Sequence, residues 1–483
     1  MNNDRTKNIL SITASAILYG CAFNFEAAWP LVFIFLLPLF TRVLTRNCAP
    51  ISLWYGFFFG LLAALAHLGT VFYSVALNGY METLWLRALP LIPAMLYTAL
   101  LGILFFGVPK LVYRWTHNPT ILCVAWIIGA WLYFESFAHW YMAPFGRIEG
   151  YVLTYPLVLF AHAPILALPI AVVGEKLALL VWIMFVMLIA HAIVACFTKN
   201  KRSFFIAAGS ITVIAGAWLG CGWYMQHHRQ GLSDFIALRS EIVHCPCFVA
   251  KSNELFSTAR DMAQHFDKAQ ALFPQAHTFV VQESATRIHQ WPFMKDLCAC
   301  FSPKNVHRPI SIILGAFRWD GDTYHNTLYL FKNGKLTQWH DKRHAMALEE
   351  RLPWLVNFDY IKNAFLNVFV PLTSSNEPRK PFTIYQNFEV IPYLCSELFF
   401  NSMPDETAEI KKRHIPILAA CNDNWIQASP IINLMALYAR YCAMIWNRPM
   451  VYASYHRGFF IAPNGDQQKL QAYRPKTDGV III

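Results

Sequence analysis

Three side chains in the second half of the chain have the types and placement for acyl-transfer chemistry. Glu283 directly follows the apolar run 277–282 (HTFVVQ), and Cys395 directly follows the run 388–394 (FEVIPYL). Lys342 lies just beyond a third run, 336–340. In a layered α/β fold, side chains at strand ends reach a common crevice. A thiol attacks only as its thiolate. A glutamate can take the thiol proton, and a lysine can stabilise first the thiolate and then the oxyanion of the tetrahedral intermediate. A thioester follows, and a second nucleophile resolves it. This chemistry calls for neither a metal nor a cofactor. His340 and His344 flank Lys342, but no acidic third ligand accompanies them, so no metal site is expected there.

The elements that must position these groups are legible around them. Runs 311–317 (SIILGAF) and 326–331 (NTLYLF) read as strands, and Asn333-Gly334 between 326–331 and 336–340 is a strong hairpin signal. Residues 415–420 form another apolar run leading into Cys421-Asn422-Asp423. The stretch 431–446 has helical apolar spacing, and 450–455 and 458–462 are strand-like, followed by a turn at 463–466. Alternating strands and helices predict a layered α/β domain over residues 226–483.

Residues 1–225 are a different material. Charged residues make up only 14% of the chain, against about a quarter in soluble proteins, and the deficit is concentrated here. Apolar runs at 9–23, 27–44, 51–76, 86–106, 120–142, 178–196 and 204–225 predict about seven membrane-spanning helices. The first has no small-residue cleavage site before a soluble domain and reads as an anchor, not a signal peptide. The run 156–173 is interrupted by Pro164 and Pro169 and reads as an interfacial or re-entrant segment.

Basic residues gather in alternate loops: Arg5 and Lys7, Arg42 and Arg46, Lys110 and Arg114, then Lys199, Lys201 and Arg202. By the positive-inside rule those loops are cytoplasmic. Seven crossings then place residues 226–483 outside, which in a Gram-negative inner membrane is the periplasm. The formal charge of +11 is therefore a topology signal, and no basic, aromatic-striped face for nucleic acid is visible. Glu135 falls inside the fifth run, where a carboxylate needs a partner or water; it reads as a structural partner or a substrate contact. Trp126, Trp131 and Trp140 read as interface anchors and packing. The twelve cysteines show no zinc-ribbon spacing, and Cys245/Cys247 and Cys298/Cys300 are open to disulfide pairing or to burial as thiols.

The words around the three chemical residues carry a resemblance. The order Glu283 (VVQESA), Lys342 (DKRH), Cys395 (YLCSEL) resembles the Glu-Lys-Cys signature of the nitrilase, or carbon–nitrogen hydrolase, superfamily. Gly315, Asn326-Thr327, Asn422-Asp423-Asn424-Trp425, the helix over 436–446, Arg448-Pro449 and the strand over 450–454 fit as well. With a multi-span helical part in front, the whole chain resembles the apolipoprotein N-acyltransferase family. The resemblance implies a multi-span α-helical membrane domain followed by an α-β-β-α nitrilase-like domain. It implies an enzyme that moves an acyl chain from a phospholipid donor to a cysteine, then to the α-amino group of a lipoprotein's diacylglyceryl-cysteine. Carried over, Cys395 is the nucleophile, Glu283 the general base and Lys342 the oxyanion stabiliser. Glu350 and Glu397 align with glutamates that support the triad.

The chain also departs from the family pattern. Gln282 stands where the family usually has Pro, and Ser396 where it has Tyr. The segment 345–350 (AMALEE) lacks the family's Pro and Gly. Beside Glu135 the expected arginine is absent and His139 lies close by. The chain ends at Gly479-Val480-Ile481-Ile482-Ile483 where the family has a further spanning helix, so the C-terminus is expected to stay outside. A membrane-bound amidase, in which water resolves the thioester, and a TraB-type conjugal-transfer protein with a changed substrate are the competing readings. A lipid donor needs an apolar opening at membrane level, which the aromatic loops at 291–293 and 354–358 could line or cover.

Overall fold

The computed structural model describes residues 2–77, 91–139, 155–245, 259–283, 310–343, 372–385, 388–399, 413–423 and 429–472. The chain divides into two compact units, 1–228 with 426–441, and 229–425 with 442–483.

In the first unit the described parts of all seven apolar runs are mainly helical. They form Asn2–Asn24, Leu37–Leu44, Leu53–Leu77, Leu91–Tyr113, Pro119–His139, Glu175–Phe197 and Lys201–His228. The second run is not one continuous α-helix. It begins as a 3-10 helix over Glu26–Phe33 with Pro30 inside, and restarts as α-helix with Pro38 in the first turn. A proline has no N–H to continue an α-helical ladder and is tolerated only in a first turn. Among the described residues, five stretches are long and apolar enough to cross a membrane: Glu26–Leu44, Met95–Tyr113, Pro119–Ser136, Glu175–Phe197 and Lys201–Phe235. The helix Asn2–Asn24 carries Asp4, Arg5 and Lys7 in its opening turns and is not among them. The segment 156–173 breaks at its prolines into Pro156–His162, Pro164–Ala167 and Ile170–Val173, each far too short to cross.

Two kinds of contact hold these helices. Gly56 and Gly102 face each other so closely that a Cβ on either would land on the other's carbonyl oxygen. Such small residues let helix backbones approach, which is how apolar helices associate without a hydrophobic drive. Beside them, rings of Phe59, Phe105, Phe106, Trp126 and Tyr133 pack edge-on and tilted, with Phe106 and Trp126 centroids 5.1 Å apart. Trp126 is fully buried and its indole N–H donates to Cys48 O at 3.1 Å, so it is a packing residue, not an interface anchor. Trp131 donates to Lys176 O at 2.9 Å, and Trp140 lies outside the described residues. Glu135 is buried and ion-paired with Lys176, Nζ to Oε1 3.4 Å.

Among the described residues the second unit is built on two six-stranded sheets. The strands in chain order are β1 Ile242–His244, β2 Thr278–Val280, β3 Ser311–Trp319, β4 Tyr324–Lys332, β5 Lys335–Asp341, β6 Phe382–Thr383, β7 Glu389–Leu394, β8 Ile417–Ala420, β9 Met450–Ala453, β10 Gly458–Ile461, β11 Gln467–Lys469 and β12 Gln471–Ala472. The first sheet has the order β12-β1-β2-β3-β4-β5 and the second β11-β10-β9-β8-β7-β6. Parallel pairing joins β1 to β2, β2 to β3, β7 to β8 and β8 to β9, while the β3-β4-β5 meander is antiparallel.

Alternation along the strands sorts the core into layers. Ile242, Val280, Ile313, Leu328 and Leu330 of the first sheet pack with Val390, Leu394, Leu418, Ala420, Val451 and Ala453 of the second. Their neighbours Val243, Phe279, Ile312, Leu314 and Phe331 point the other way, onto Phe266 and Ala269 of the helix Ala259–Leu272. The hairpin forms where the Asn-Gly signal places it, with Asn333 at φ 48° and Gly334 at φ 76° and Lys332 paired to Lys335. Those left-handed angles are what a two-residue turn needs to match strand twist. The expected helix over 431–446 runs Ser429–Ile445.

Candidate active site

Strand ends converge at one end of the sandwich unit. Glu283 follows β2, Lys342 follows β5, Cys395 follows β7, and Cys421 and Asn422 follow β8. Glu283 is 3% exposed, so its charge must be met inside the protein. Lys342, equally buried, supplies the cation, Nζ to Oε1 2.8 Å. The Asn326 side-chain amide donates to the same oxygen at 2.7 Å, and the Asn422 main-chain N–H donates to Oε2 at 3.1 Å. One carboxylate thus gathers donors from β4, β5 and β8, joining the two sheets.

The lysine is held from its backbone outward. Its N–H donates to Asn326 O at 2.7 Å, and its carbonyl accepts from Ser375 N–H at 3.0 Å. Next to it Asp341 accepts a two-point contact from Arg318 at 2.9 and 2.6 Å and a bond from Thr327 at 2.6 Å. Bidentate guanidinium pairing of this kind fixes orientation as well as charge. The end of β5, and with it the root of the Lys342 side chain, is therefore fixed.

Cys395 begins a 3-10 turn, Cys395–Phe399, immediately after β7 and has φ 40°. A side chain in that left-handed region costs about 1–2 kcal/mol, and such strain persists where the surrounding structure imposes it, commonly at active sites. The thiol is buried. A hydrogen bond with the Cys421 thiol, then burial, then the Glu283 charge push its pKa well above the ordinary thiol value, while Lys342 pulls the other way. All three sequence-predicted chemical residues are therefore within electrostatic reach of one another.

Glu397 lies two residues beyond the cysteine, where it ties the same loops together. It accepts from His340 Nε2 at 3.0 Å, from Arg343 main-chain N–H at 2.7 Å and from Leu394 main-chain N–H at 2.8 Å, and it pairs with Arg379 at 3.2 Å. Arg343 and Leu394 adjoin Lys342 and Cys395 respectively, so this carboxylate sets the spacing of the two strand ends. Burial opposes its charge, but Arg379, His340 and the Arg343 N–H outweigh burial and hold the carboxyl well below the ordinary glutamate range. His340 is thereby engaged with a carboxylate. Glu350 and His344 lie outside the described residues, as do Cys247, Cys298, Cys300 and the aromatic loops at 291–293 and 354–358. Cys245 is buried as a thiol.

Two residues of the site escaped the sequence reading. Arg379 sits in a segment with no strand or motif to flag it, and its guanidinium lies 3.6 Å from the Tyr393 ring centroid. Cys421 carried a usable signal, since it directly follows an apolar strand as Cys395 does. Beyond it, Asp423 accepts from Ser454 Oγ at 2.6 Å and His456 N–H at 3.1 Å, which fixes the loop presenting Cys421 and Asn422.

The chain is similar to solved structures of carbon–nitrogen hydrolases. One is a carbon–nitrogen hydrolase from Helicobacter pylori, 12% identical with a TM-score of 0.34, covering 47% of this chain and 86% of that one. Another is a member of branch 10 of the nitrilase superfamily from Saccharomyces cerevisiae, 12% identical, TM-score 0.32, covering 44% and 78%. A third is a CN-hydrolase superfamily protein from Xanthomonas campestris with an arsenic adduct in its active site, 14% identical, TM-score 0.30, covering 44% and 79%. No protein-family model and no curated protein matches the sequence.

Proposed function

We propose that the protein is a membrane-bound N-acyltransferase of the carbon–nitrogen hydrolase superfamily. Its acyl donor is a phospholipid, and its acceptor is the α-amino group of a lipoprotein's N-terminal diacylglyceryl-cysteine. The observation that carries the reading is the buried Glu283–Lys342 pair, 2.8 Å apart, beside a cysteine on a strained turn. In the first half-reaction Glu283 takes the Cys395 proton as sulfur attacks the donor's ester carbonyl. The S–C bond forms, Lys342 meets the oxyanion, the C–O bond breaks and the proton leaves on the lysophospholipid hydroxyl. In the second, the acceptor amine attacks the thioester, the N–C bond forms, the C–S bond breaks and Cys395 regains a proton. Glu397 and Glu350 act as positioning residues. The helical unit is the anchor in a bacterial inner membrane, and residues 226–483 lie in the periplasm.

The test is thioester trapping. Membranes containing the protein are incubated with an alkyne-tagged phospholipid, and label released by neutral hydroxylamine is measured. Label is expected on the wild type and absent from Cys395→Ala. Folded wild-type protein that takes no label overturns the phospholipid-donor reading. Label that water alone discharges, with none passed to a lipoprotein peptide, leaves a hydrolase instead.

A further inference from the structure

A second thiol stands beside the nucleophile, and the acyl-transfer chemistry has no use for it. Strands β7 and β8 are parallel and in register through Leu394↔Ala420, the residues directly before Cys395 and Cys421. Neighbouring strands lie about 4.8 Å apart, inside the Cα separation of roughly 4.4–6.8 Å that a disulfide spans. The Cys421 N–H continues the ladder onto Ala453 O at 2.8 Å, which holds this residue at the strand end. Both side chains are buried.

We infer that Cys395 and Cys421 form a redox-active dithiol, closed by a peroxide into a disulfide that removes the nucleophile and reopened by a dithiol reductant. The inhibitory consequence rests on Cys395 being the acyl acceptor; the disulfide itself does not. Peroxide is the oxidant because the site is buried and a small molecule must reach it. Glu283 takes the Cys395 proton as sulfur attacks one peroxide oxygen, so the S–O bond forms, the O–O bond breaks, and the departing hydroxide takes that proton to become water. Cys421 sulfur then attacks Cys395 sulfur, the S–S bond forms, and the hydroxyl leaves with the Cys421 proton as a second water. The sulfur pair loses two electrons and the peroxide gains them. A sulfenic acid next to a thiol follows this route and is thereby protected from irreversible over-oxidation.

The experiment treats the full-length protein, in membranes or detergent, with hydrogen peroxide, blocks remaining thiols with N-ethylmaleimide and maps peptides by mass spectrometry. A cross-linked Cys395–Cys421 peptide is expected, together with loss of Cys395 alkylation that dithiothreitol restores. In Cys421→Ser the cross-link disappears, Cys395 forms a dimedone adduct, and its alkylation is no longer restored by dithiothreitol. Should that variant fail to fold, phenylarsine oxide on the wild type provides the second reading. It must protect both cysteines from N-ethylmaleimide, reversibly with a dithiol and not with a monothiol. The inference is overturned if wild-type Cys395 accumulates as a dimedone adduct, pairs with another cysteine, resists peroxide at every dose that leaves the protein folded, or binds phenylarsine oxide without Cys421. None of these readouts needs an acyl donor, so failure of phospholipid labelling and failure of the disulfide are separately visible.

Discussion

Two of the buried carboxylates of the sandwich unit, Glu283 and Glu397, lie at the same end of the fold and are surrounded differently. Among the described residues, Glu283 meets a lysine, a side-chain amide and a main-chain N–H. Glu397 has a guanidinium, an imidazole and two main-chain N–H donors from both strand ends. An ammonium on a flexible stem is a mobile point charge, whereas a guanidinium is planar, permanently charged and pre-organised. Arg379 is pinned further by the face of Tyr393. The first arrangement suits a carboxylate that must exchange a proton with a neighbouring thiol. The second suits one that must never be protonated and never move. Burial of a charge alone therefore does not mark chemistry; the kind of donor around it does.

The largest effect that would sharpen this contrast comes from Glu283→Gln. The amide keeps the volume and can accept from Lys342, but cannot take the thiol proton. Thioester labelling from the tagged phospholipid should fall by roughly 10²–10⁴-fold, the usual size of a general base's contribution. Melting temperature should also fall, because the buried Lys342 loses its carboxylate, so labelling is compared per folded molecule. A variant that unfolds instead, with labelling intact in the surviving fraction, would make Glu283 a structural charge like Glu397 and erase the distinction.

Arg379→Ala attacks the other corner. Both partners are almost fully buried, so the variant breaks a buried ion pair, a change that costs about 3–5 kcal/mol. Melting temperature should drop sharply, and Arg379→Leu combined with Glu397→Leu should recover much of the loss. If Arg379→Ala melts like the wild type, Glu397 is not clamped in the way the geometry indicates.

The pH dependence separates the corners more finely. The folded pKa of Glu397 is depressed, so its contribution to stability is complete above the unfolded value of about 4.3 and is lost as pH falls from there through the folded value. Wild-type melting temperature should therefore decline below about pH 4.3. Glu397→Gln should melt lower at neutral pH and show a shallower decline over that acid range. Equal slopes would assign the acid sensitivity to another carboxylate.

How much of this was readable beforehand follows from where the signals live. Glu283 and Cys395 stood out because each ends an apolar run, and the Asn333-Gly334 hairpin because only certain residues tolerate its angles. The strands β1 and β12 were not legible: at three and two residues they are too short to show alternation, and pairing with β2 and with each other defines them. Arg379 was invisible for a related reason. Its partner is close in space but distant in sequence, and no local pattern encodes the meeting. In the helical unit the apolar runs were plain, yet the break between Glu26–Phe33 and Leu37–Leu44 depended on two prolines whose effect run length does not register.

The smallest expected effect tests the contrast from outside. Glu389 at the start of β7 pairs with Arg413, but the arginine is half exposed and the glutamate a quarter exposed. Water already solvates both charges, and holding two side chains in one geometry offsets most of the attraction, so such pairs contribute about 0–1 kcal/mol. Arg413→Ala should therefore shift the melting temperature far less than Arg379→Ala and should not alter thioester labelling. The two variants remove the same chemical group from a carboxylate, so the difference between them isolates burial as the cause. A comparable loss from both would mean that the guanidinium matters for its packing rather than for the charge it neutralises, and Glu397 would then need another explanation for its depressed pKa.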